Sequence, residues 1–376
     1  MKFFNGIIRQ DRTEQMPLPH LCWLDVLRAL AALSVVLTHY LTFHSPQAGD
    51  FGILGHSVGE QPFFGLLKLF YTQGSEVVNL FWVISGFVFA STYVKNEIVS
   101  ARIFFVNRFA RLYPLHFLTL MIVAVLQLVS LAMTGHFQIF ANNSLCTLVL
   151  NLFFASGWGI VPLFSFSFNG PIWSVSLEIV IYAIFFLSLR LVVEYRSLAV
   201  AVIALFFGLL SVFHVPGVFW PCGLYFYTGC LIFFLWHRFF LSPYFLLFLG
   251  GLGVFLGGWI RCVGGALFGY GTWYNLILFS AIVLIAAALD LVDTRKIGGH
   301  FRIFGEMSYG IYLWHIPVTI TGILILSFLG ISRDVIFTKT FFFFYLALIL
   351  TVAYVSYRFF EHPLRDYIRK AWNSVS

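Results

Sequence analysis

Charge is what this chain has least of. Asp, Glu, Lys and Arg together make up 10% of its 376 residues, against 60% hydrophobic residues, and the mean hydropathy is +0.93. So little charge cannot cover the surface of a soluble domain, which leaves a protein that crosses a membrane many times. Cysteine is scarce as well. Cys22, Cys146, Cys222, Cys230 and Cys262 show no CxxC pairing and mostly sit in apolar context, where cysteine acts as a small hydrophobe, so neither disulfides nor a metal site is expected. No large hydrophilic stretch interrupts or follows the apolar runs, and no repeat recurs at a fixed period, so one membrane domain is expected over 1–376, with its core at 24–365. The formal net charge of +7 is scattered in small clusters between apolar runs. Nucleic acid would require those charges on one stripe, and it is not expected as a partner.

Apolar runs near 24–43, 74–93, 112–133, 173–193, 197–213, 217–236, 243–260, 273–292, 308–330 and 340–360 are each about long enough to cross as helices. An eleventh, near 143–159, is ambiguous, and the positive-inside rule decides its fate. With ten spans and the N-terminus inside, 17 Lys and Arg fall inside and 4 outside, Arg28 lying within the membrane; with eleven spans the tally is 10 inside against 11 outside. The expected fold is therefore all-α and polytopic, with ten transmembrane helices and both termini cytoplasmic. The 143–159 segment is then re-entrant or interfacial on the outer side, where irregular backbone is allowed if it is buried in protein or lines a cavity. The basic start MKFFNGIIRQDRTEQMPLPH precedes a long run that carries Arg28 and has no small-residue cleavage site, so an uncleaved first span is expected. Candidate non-membrane parts are the 44–73 loop outside and the 94–111 loop inside, which ends in NRFARLYP, where Arg108 and Arg111, three apart, are expected on one helix face.

The first span, LDVLRALAALSVVLTHY, carries Arg28 and His39. Eleven residues apart at about 100° each, they share one helix face with about 16 Å between them. An ionisable residue inside a span is costly and reads as a functional site by default. The alternative is that Arg28 snorkels to the headgroups and His39 lies at the far interface.

That run is followed in order by NLFWVISGFVFA at 79–90, RFARLYP at 108–114, PIWSVSLEIVIYAIF at 171–185, FGEMSYGIYLWHIPV at 304–318 and FFEHPLR at 359–365. Together these blocks resemble the membrane-bound acyltransferase-3 family, and they extend from residue 24 to 365. The resemblance implies a ten-helix membrane core that takes an acyl group from cytoplasmic acyl-coenzyme A and delivers it to a hydroxyl, commonly on a cell-surface carbohydrate. Two departures stand out. Asn79 occupies a position where the family usually has an acidic residue, which puts a charge role there in doubt. Some relatives carry a soluble esterase-like domain at the C-terminus, whereas this chain ends at Ser376, 16 residues past the last run, and is expected to act without a fused one.

The resemblance makes His39 the candidate general base, matching the histidine of the family's Arg-x10-His motif, and histidine suits proton removal from a hydroxyl near neutral pH. Glu178 in WSVSLE is the candidate orienter of that imidazole, with a structural hydrogen bond to Trp173 or a helix end as the alternative. Arg28, Arg108 and Arg111 are assigned to the acyl-coenzyme A donor, whose phosphates favour bidentate arginine; the loop arginines would otherwise anchor to anionic lipid headgroups. Ser85 in ISGF fits a hydrogen bonder close to the reacting centre, an acyl relay or helix packing, packing being the commoner use of Ser-Gly. His315, followed by the helix-opening Pro317, lines an acceptor route or is a structural core histidine. Trp173 is a candidate sugar platform, while Glu361 fits capping or pairing with Arg358 or Arg365.

The reading that follows is an integral membrane O-acyltransferase of the plasma membrane, of bacterial type. Acyl-coenzyme A, expected to be acetyl-coenzyme A, is a co-substrate rather than a permanent cofactor, and the acceptor is a surface or lipid-linked carbohydrate. A transporter or flippase competes on generic grounds, since ten spans, intramembrane charge and helix-breaking prolines suit transport, although no inverted repeat is evident. A non-enzymatic sensor descended from such an enzyme is a third possibility.

Overall fold

A computed structural model describes residues 21–44, 58–94, 100–160, 166–213, 215, 217–264 and 271–373. Among these residues the regular structure is helical, with no strand. Hydrocarbon offers the backbone no hydrogen-bond partners, so each long apolar run satisfies its own N–H and C=O groups as a helix. In chain order the helices are α1 (Cys22–Thr38), α2 (Phe64–Thr72), α3 (Gly74–Tyr93), α4 (Ala101–Thr134), α5 (Leu145–Leu152), α6 (Ile172–Tyr195), α7 (Ser197–Val212), α8 (Phe219–Arg238), α9 (Pro243–Gly264), α10 (Gly271–Val292), α11 (Arg302–Glu306), α12 (Ser308–Phe328), α13 (Lys339–Ser356) and α14 (His362–Asn373).

Among the described residues, nine helices are long and apolar enough to cross a membrane. The tenth expected span is α7, whose 16 residues reach only about 24 Å, short of a hydrocarbon core of roughly 30 Å. Segment 143–159 contains α5, eight residues long or about 12 Å, which cannot cross. The chain then bends at Phe154, φ 54°, and returns to α6, where Ser176 Oγ accepts the Gly157 N–H at 2.9 Å and the Ser176 carbonyl accepts Trp158 Nε1–H at 3.0 Å. Two expected loops are corrected. The helix expected at Arg108 and Arg111 starts earlier, since residues 101–111 are all first turns of the 34-residue α4, and 64–72 form α2; residues 95–99 and 45–57 of those same expected loops lie outside the described residues.

Small residues set the tightest helix contacts. A Cβ on Gly86 of α3 would lie 1.8 Å from the Phe226 carbonyl oxygen of α8, and one on Gly229 of α8 would lie 2.0 Å from the Val83 carbonyl oxygen, so these backbones touch. One aromatic-rich core surrounds α3, α6 and α8, and a second lies between the latter half of α1, α12 and α13. Helix α1 contacts α3, α10, α11 and α12. Its N-cap residue, Leu21, supplies no side-chain cap, and Asp290 at the end of α10 does so in trans, accepting the Trp23 backbone N–H at 3.2 and 3.1 Å. Asp293 accepts Trp23 Nε1–H at 3.0 Å. The N–H groups of Gly298 and Ile297 also point at Asp293 and hold its carboxyl below the usual carboxylate range.

Candidate functional site

Two clusters of polar side chains occupy the two ends of α1. At the C-terminal end the α-helix tightens into a 3-10 turn over His39–His44, and neighbouring elements hold that turn in place. The Thr38 hydroxyl donates to the Phe70 carbonyl at 3.0 Å and accepts the Gly74 N–H at 2.9 Å. The Tyr40 hydroxyl donates to the Ile336 carbonyl at 2.6 Å, and an Arg333 N–H reaches the Phe43 carbonyl at 3.3 Å.

His39, fixed in this way, places Nδ1 2.9 Å from the Val35 carbonyl oxygen. A carbonyl only accepts, so in the neutral ring Nδ1 carries the hydrogen and Nε2 presents a lone pair. The ring beside it belongs to His315, with centroids 5.1 Å apart. His315 sits on α12 just before Pro317. Proline has no N–H to offer the carbonyl four residues back, and that carbonyl, of Leu313, takes an N–H from Asn169 at 3.1 Å instead.

At the N-terminal end, a cavity of about 120 Å³ opens between α1, α3, α4, α6 and α12. Its polar lining includes Arg28, Arg108, Arg111, Ser85, Glu178 and Tyr182. Arg28 donates to Asp25 at 3.4 Å, one turn back on α1. The Arg108 guanidinium lies over the Phe89 ring at 4.4 Å and donates to the Tyr93 hydroxyl at 3.3 Å. Ser85 and Tyr182 share a hydrogen bond of 2.9 Å, and both hydroxyls lie beside the Glu178 carboxyl, with Arg108 and Arg28 as the nearby cations.

A larger cavity of about 380 Å³ adjoins the first and shares Arg28, Arg111 and Tyr309 with it. Arg365 and Glu361 line this second space. Glu361 ends a π-helical turn at Tyr357–Glu361 that precedes Pro363, and Arg365 follows on α14. Such a turn accommodates the ladder position a proline cannot fill, and π-turns often mark functional sites. There the Glu361 carboxylate accepts a hydrogen bond from the Ser356 hydroxyl at 3.0 Å.

Five of the eight residues singled out from the sequence, Arg28, Ser85, Arg108, Arg111 and Glu178, therefore share one cavity. His39 and His315 meet each other but are not among the residues lining either cavity; the smaller one reaches Phe81 and Tyr312, whose rings lie 5.8 Å apart, with Tyr312 6.2 Å from His315. Trp173 lines neither cavity and packs edge-on at 6.1 Å against Trp82, which lines the smaller one. The expected pairing of Glu178 with His39 is absent from the geometry, because α6 aims the carboxyl at Ser85 and Tyr182, while a backbone carbonyl of α1 itself fixes the imidazole. Sequence reasoning missed Tyr182, Tyr309 and Tyr312, which read as ordinary apolar aromatics. It also left Arg365 to structural pairing, although the FFEHPLR block carried the signal.

Comparison with known proteins places this arrangement among relatives. A family model described as an acyltransferase domain (Acyl_transf_3) matches residues 22–358. The chain is 26% identical, over 91% of its own length and 55% of the relative's, to the peptidoglycan O-acetyltransferase OatA of Listeria monocytogenes. It is 36% identical over 121 residues, 32% of this chain and 30% of the relative, to the acyltransferase MdmB of Streptomyces mycarofaciens. The chain thus spans about half the length of OatA, and the MdmB match covers less. No solved structure matches significantly.

Proposed function

The chain belongs to the acyltransferase-3 family, and from that premise we propose that it is an integral membrane O-acyltransferase, moving an acyl group, acetyl by preference, from cytoplasmic acyl-coenzyme A to a hydroxyl of a surface or lipid-linked carbohydrate. The observation that carries the reading is the arginine-lined cavity beside α1, three turns from a histidine with a free Nε2 lone pair. Phosphates of the donor pair with Arg111 and Arg365 in the larger space, and Arg28, common to both cavities, guides the pantetheine arm inward with Arg108. The thioester then reaches Phe81 and Tyr312, and displacement of one of those rings admits it to His39. His39 Nε2 takes the proton of the acceptor hydroxyl as its oxygen bonds to the acyl carbon. The C–S bond breaks, and the imidazolium returns the proton to the thiolate. Glu178 balances the charge of Arg108 and Arg28 and orders the Ser85–Tyr182 pair.

The sidedness rests on the distribution of Lys and Arg, which puts the arginine end of α1 at the cytoplasmic face and His39 toward the outer face. OatA's name couples it to peptidoglycan, and both relatives are bacterial, which favours a bacterial plasma membrane and a cell-wall or surface glycan as acceptor here. Family membership leaves the transporter reading without a specific observation.

A second route has one observation in its favour. Ser85, rather than His39, lines the donor cavity beside Glu178, so an acyl-serine relay suits the space. An acyl-sized mass increment on the peptide containing Ser85, trapped with donor alone, would establish it. The test of the main reading is mass spectrometry of surface glycans from cells lacking the gene, complemented with the natural sequence or with His39→Ala. An acyl increment restored by the natural sequence and not by His39→Ala is expected. Restoration by both removes His39 as the base, and restoration by neither returns the transporter reading.

A further inference from the structure

His315 has no part in the chemistry assigned so far. It is fully enclosed, at 0% exposure, and neither ring nitrogen reaches hydrogen-bond geometry with any group among the described residues. The carbonyls of Ile311 and Tyr312, one turn back on the same helix, lie near the ring without closing such a bond. Its polar neighbours are engaged elsewhere. The Tyr312 hydroxyl donates to the Pro171 carbonyl at 2.7 Å and meets Ser174 at 2.9 Å. The Thr319 hydroxyl bonds the carbonyl of His315 at 2.7 Å and the Tyr345 hydroxyl at 2.9 Å. An imidazole offers one N–H and one lone pair, and burying both without partners is costly, so a ligand that supplies a partner gains by doing so.

The position of the ring identifies that ligand. His315 stands 5.1 Å, centroid to centroid, from His39, whose Nδ1 is taken by Val35 and whose Nε2 is a lone pair. A single small group admitted beside this pair, once a ring of Phe81 or Tyr312 gives way, would meet one acceptor nitrogen and one N–H donor. A hydroxyl is complementary, since its hydrogen goes to the first and an oxygen lone pair to the second.

We propose that His315 is a second catalytic residue, whose ring N–H donates a hydrogen bond to the attacking hydroxyl oxygen of the acceptor while that hydroxyl gives its proton to His39 Nε2. The proposal rests on the acyltransferase reading. One lone pair of the oxygen is held by His315, and the other forms the new bond to the acyl carbon. The C–S electron pair leaves on sulfur, and the proton on His39 follows it. His315 keeps its own proton throughout. The hydrogen bond turns the hydroxyl so that its hydrogen faces His39 and its remaining lone pair faces the acyl carbon, and holding a nucleophile in that attitude accelerates the step.

The experiment compares native protein with His315→Phe, His315→Gln and His315→Asn at matched levels. Membranes that retain their own acceptor are given isotopically labelled acetyl-coenzyme A, and label entering glycans is followed. Phenylalanine keeps a packed ring and removes the donor, whereas the amides keep an N–H and lose the ring. A donor that orients the nucleophile predicts a fall of about 100-fold for His315→Phe, recovery of at least about tenfold over that level by one amide variant, and an unchanged KM for acetyl-coenzyme A in the recovering variant. A structural role predicts the reverse order. Phe equal to or better than both amides, or both amides as inactive as Phe, overturns the proposal alone. Native membranes that transfer no label overturn the acyltransferase reading and this proposal with it.

Discussion

The hydrogen bond from His39 Nδ1 to the Val35 carbonyl does for this imidazole what a carboxylate does in a catalytic triad: it selects the tautomer and aims the other nitrogen. His39→Ala is therefore expected to lower acyl transfer by about 10²- to 10⁴-fold, the range for a lost general base, while donor binding, measured by calorimetry on detergent-purified protein, is retained. Arg365→Gln should act in the opposite sense, raising the KM for acyl-coenzyme A about tenfold with kcat nearly unchanged, because it removes binding shared by ground and transition states. Steady-state kinetics separate the two patterns. At this scale the sequence was informative wherever charge met an apolar run. Arg28 and Glu178 stood out for that reason, while Arg108 and Arg111 were singled out by the resemblance of the RFARLYP block, and all four share a cavity. The partner of Glu178 was illegible, because it depends on how α6 is rotated against α3, which no residue type announces. Tyr182, Tyr309 and Tyr312 were illegible because a tyrosine in a span looks like packing.

The placement of α1 depends on the elements around it. Its last turn is seated through Thr38, and Gly74 at the start of α3 lies so close that a Cβ there would come within 2.0 Å of Thr38 Oγ1. Gly74→Ala should lower the thermal unfolding midpoint in detergent by an amount matching the roughly 1–3 kcal/mol of an overpacked contact. It should also reduce transfer, since His39 adjoins Thr38. At the other end, Asp293 binds Trp23 and the turn at Ile297–Gly298. Those N–H groups lower its native pKa, so the associated stability is present above the ordinary carboxylate value near 4 and is lost as pH falls through the lowered one. Asp293→Asn should therefore lower the unfolding midpoint at neutral pH and flatten its decline on acidification, as a pH series of melts would reveal. Ser85-Gly86 shows how an element can divide one motif between two duties. Gly86 packs on α8 as a packing motif requires, while its neighbour Ser85 faces the cavity.

Across the whole molecule, apolar run length alone located nearly every long helix, and charge counting treated 143–159 as non-crossing, in keeping with the eight-residue α5. It could not foresee that α4 begins as early as Ala101, because hydropathy reads a basic amphipathic start as loop and only the spacing of Arg108 and Arg111 pointed to a helix there. Nor could it foresee the adjoining cavities, which arise where α1, α3, α4, α12 and the turn before α14 converge. The proposed path runs from that convergence to the histidine pair and gives the enzyme a direction across the membrane. The most direct test uses inverted and right-side-out membrane vesicles, given isotopically labelled acetyl-coenzyme A with native protein or His39→Ala, and follows label entering glycans. The account predicts labelling in inverted vesicles, where the cytoplasmic face meets the donor, and none with His39→Ala. Labelling confined to right-side-out vesicles, or equal labelling with His39→Ala, would contradict it.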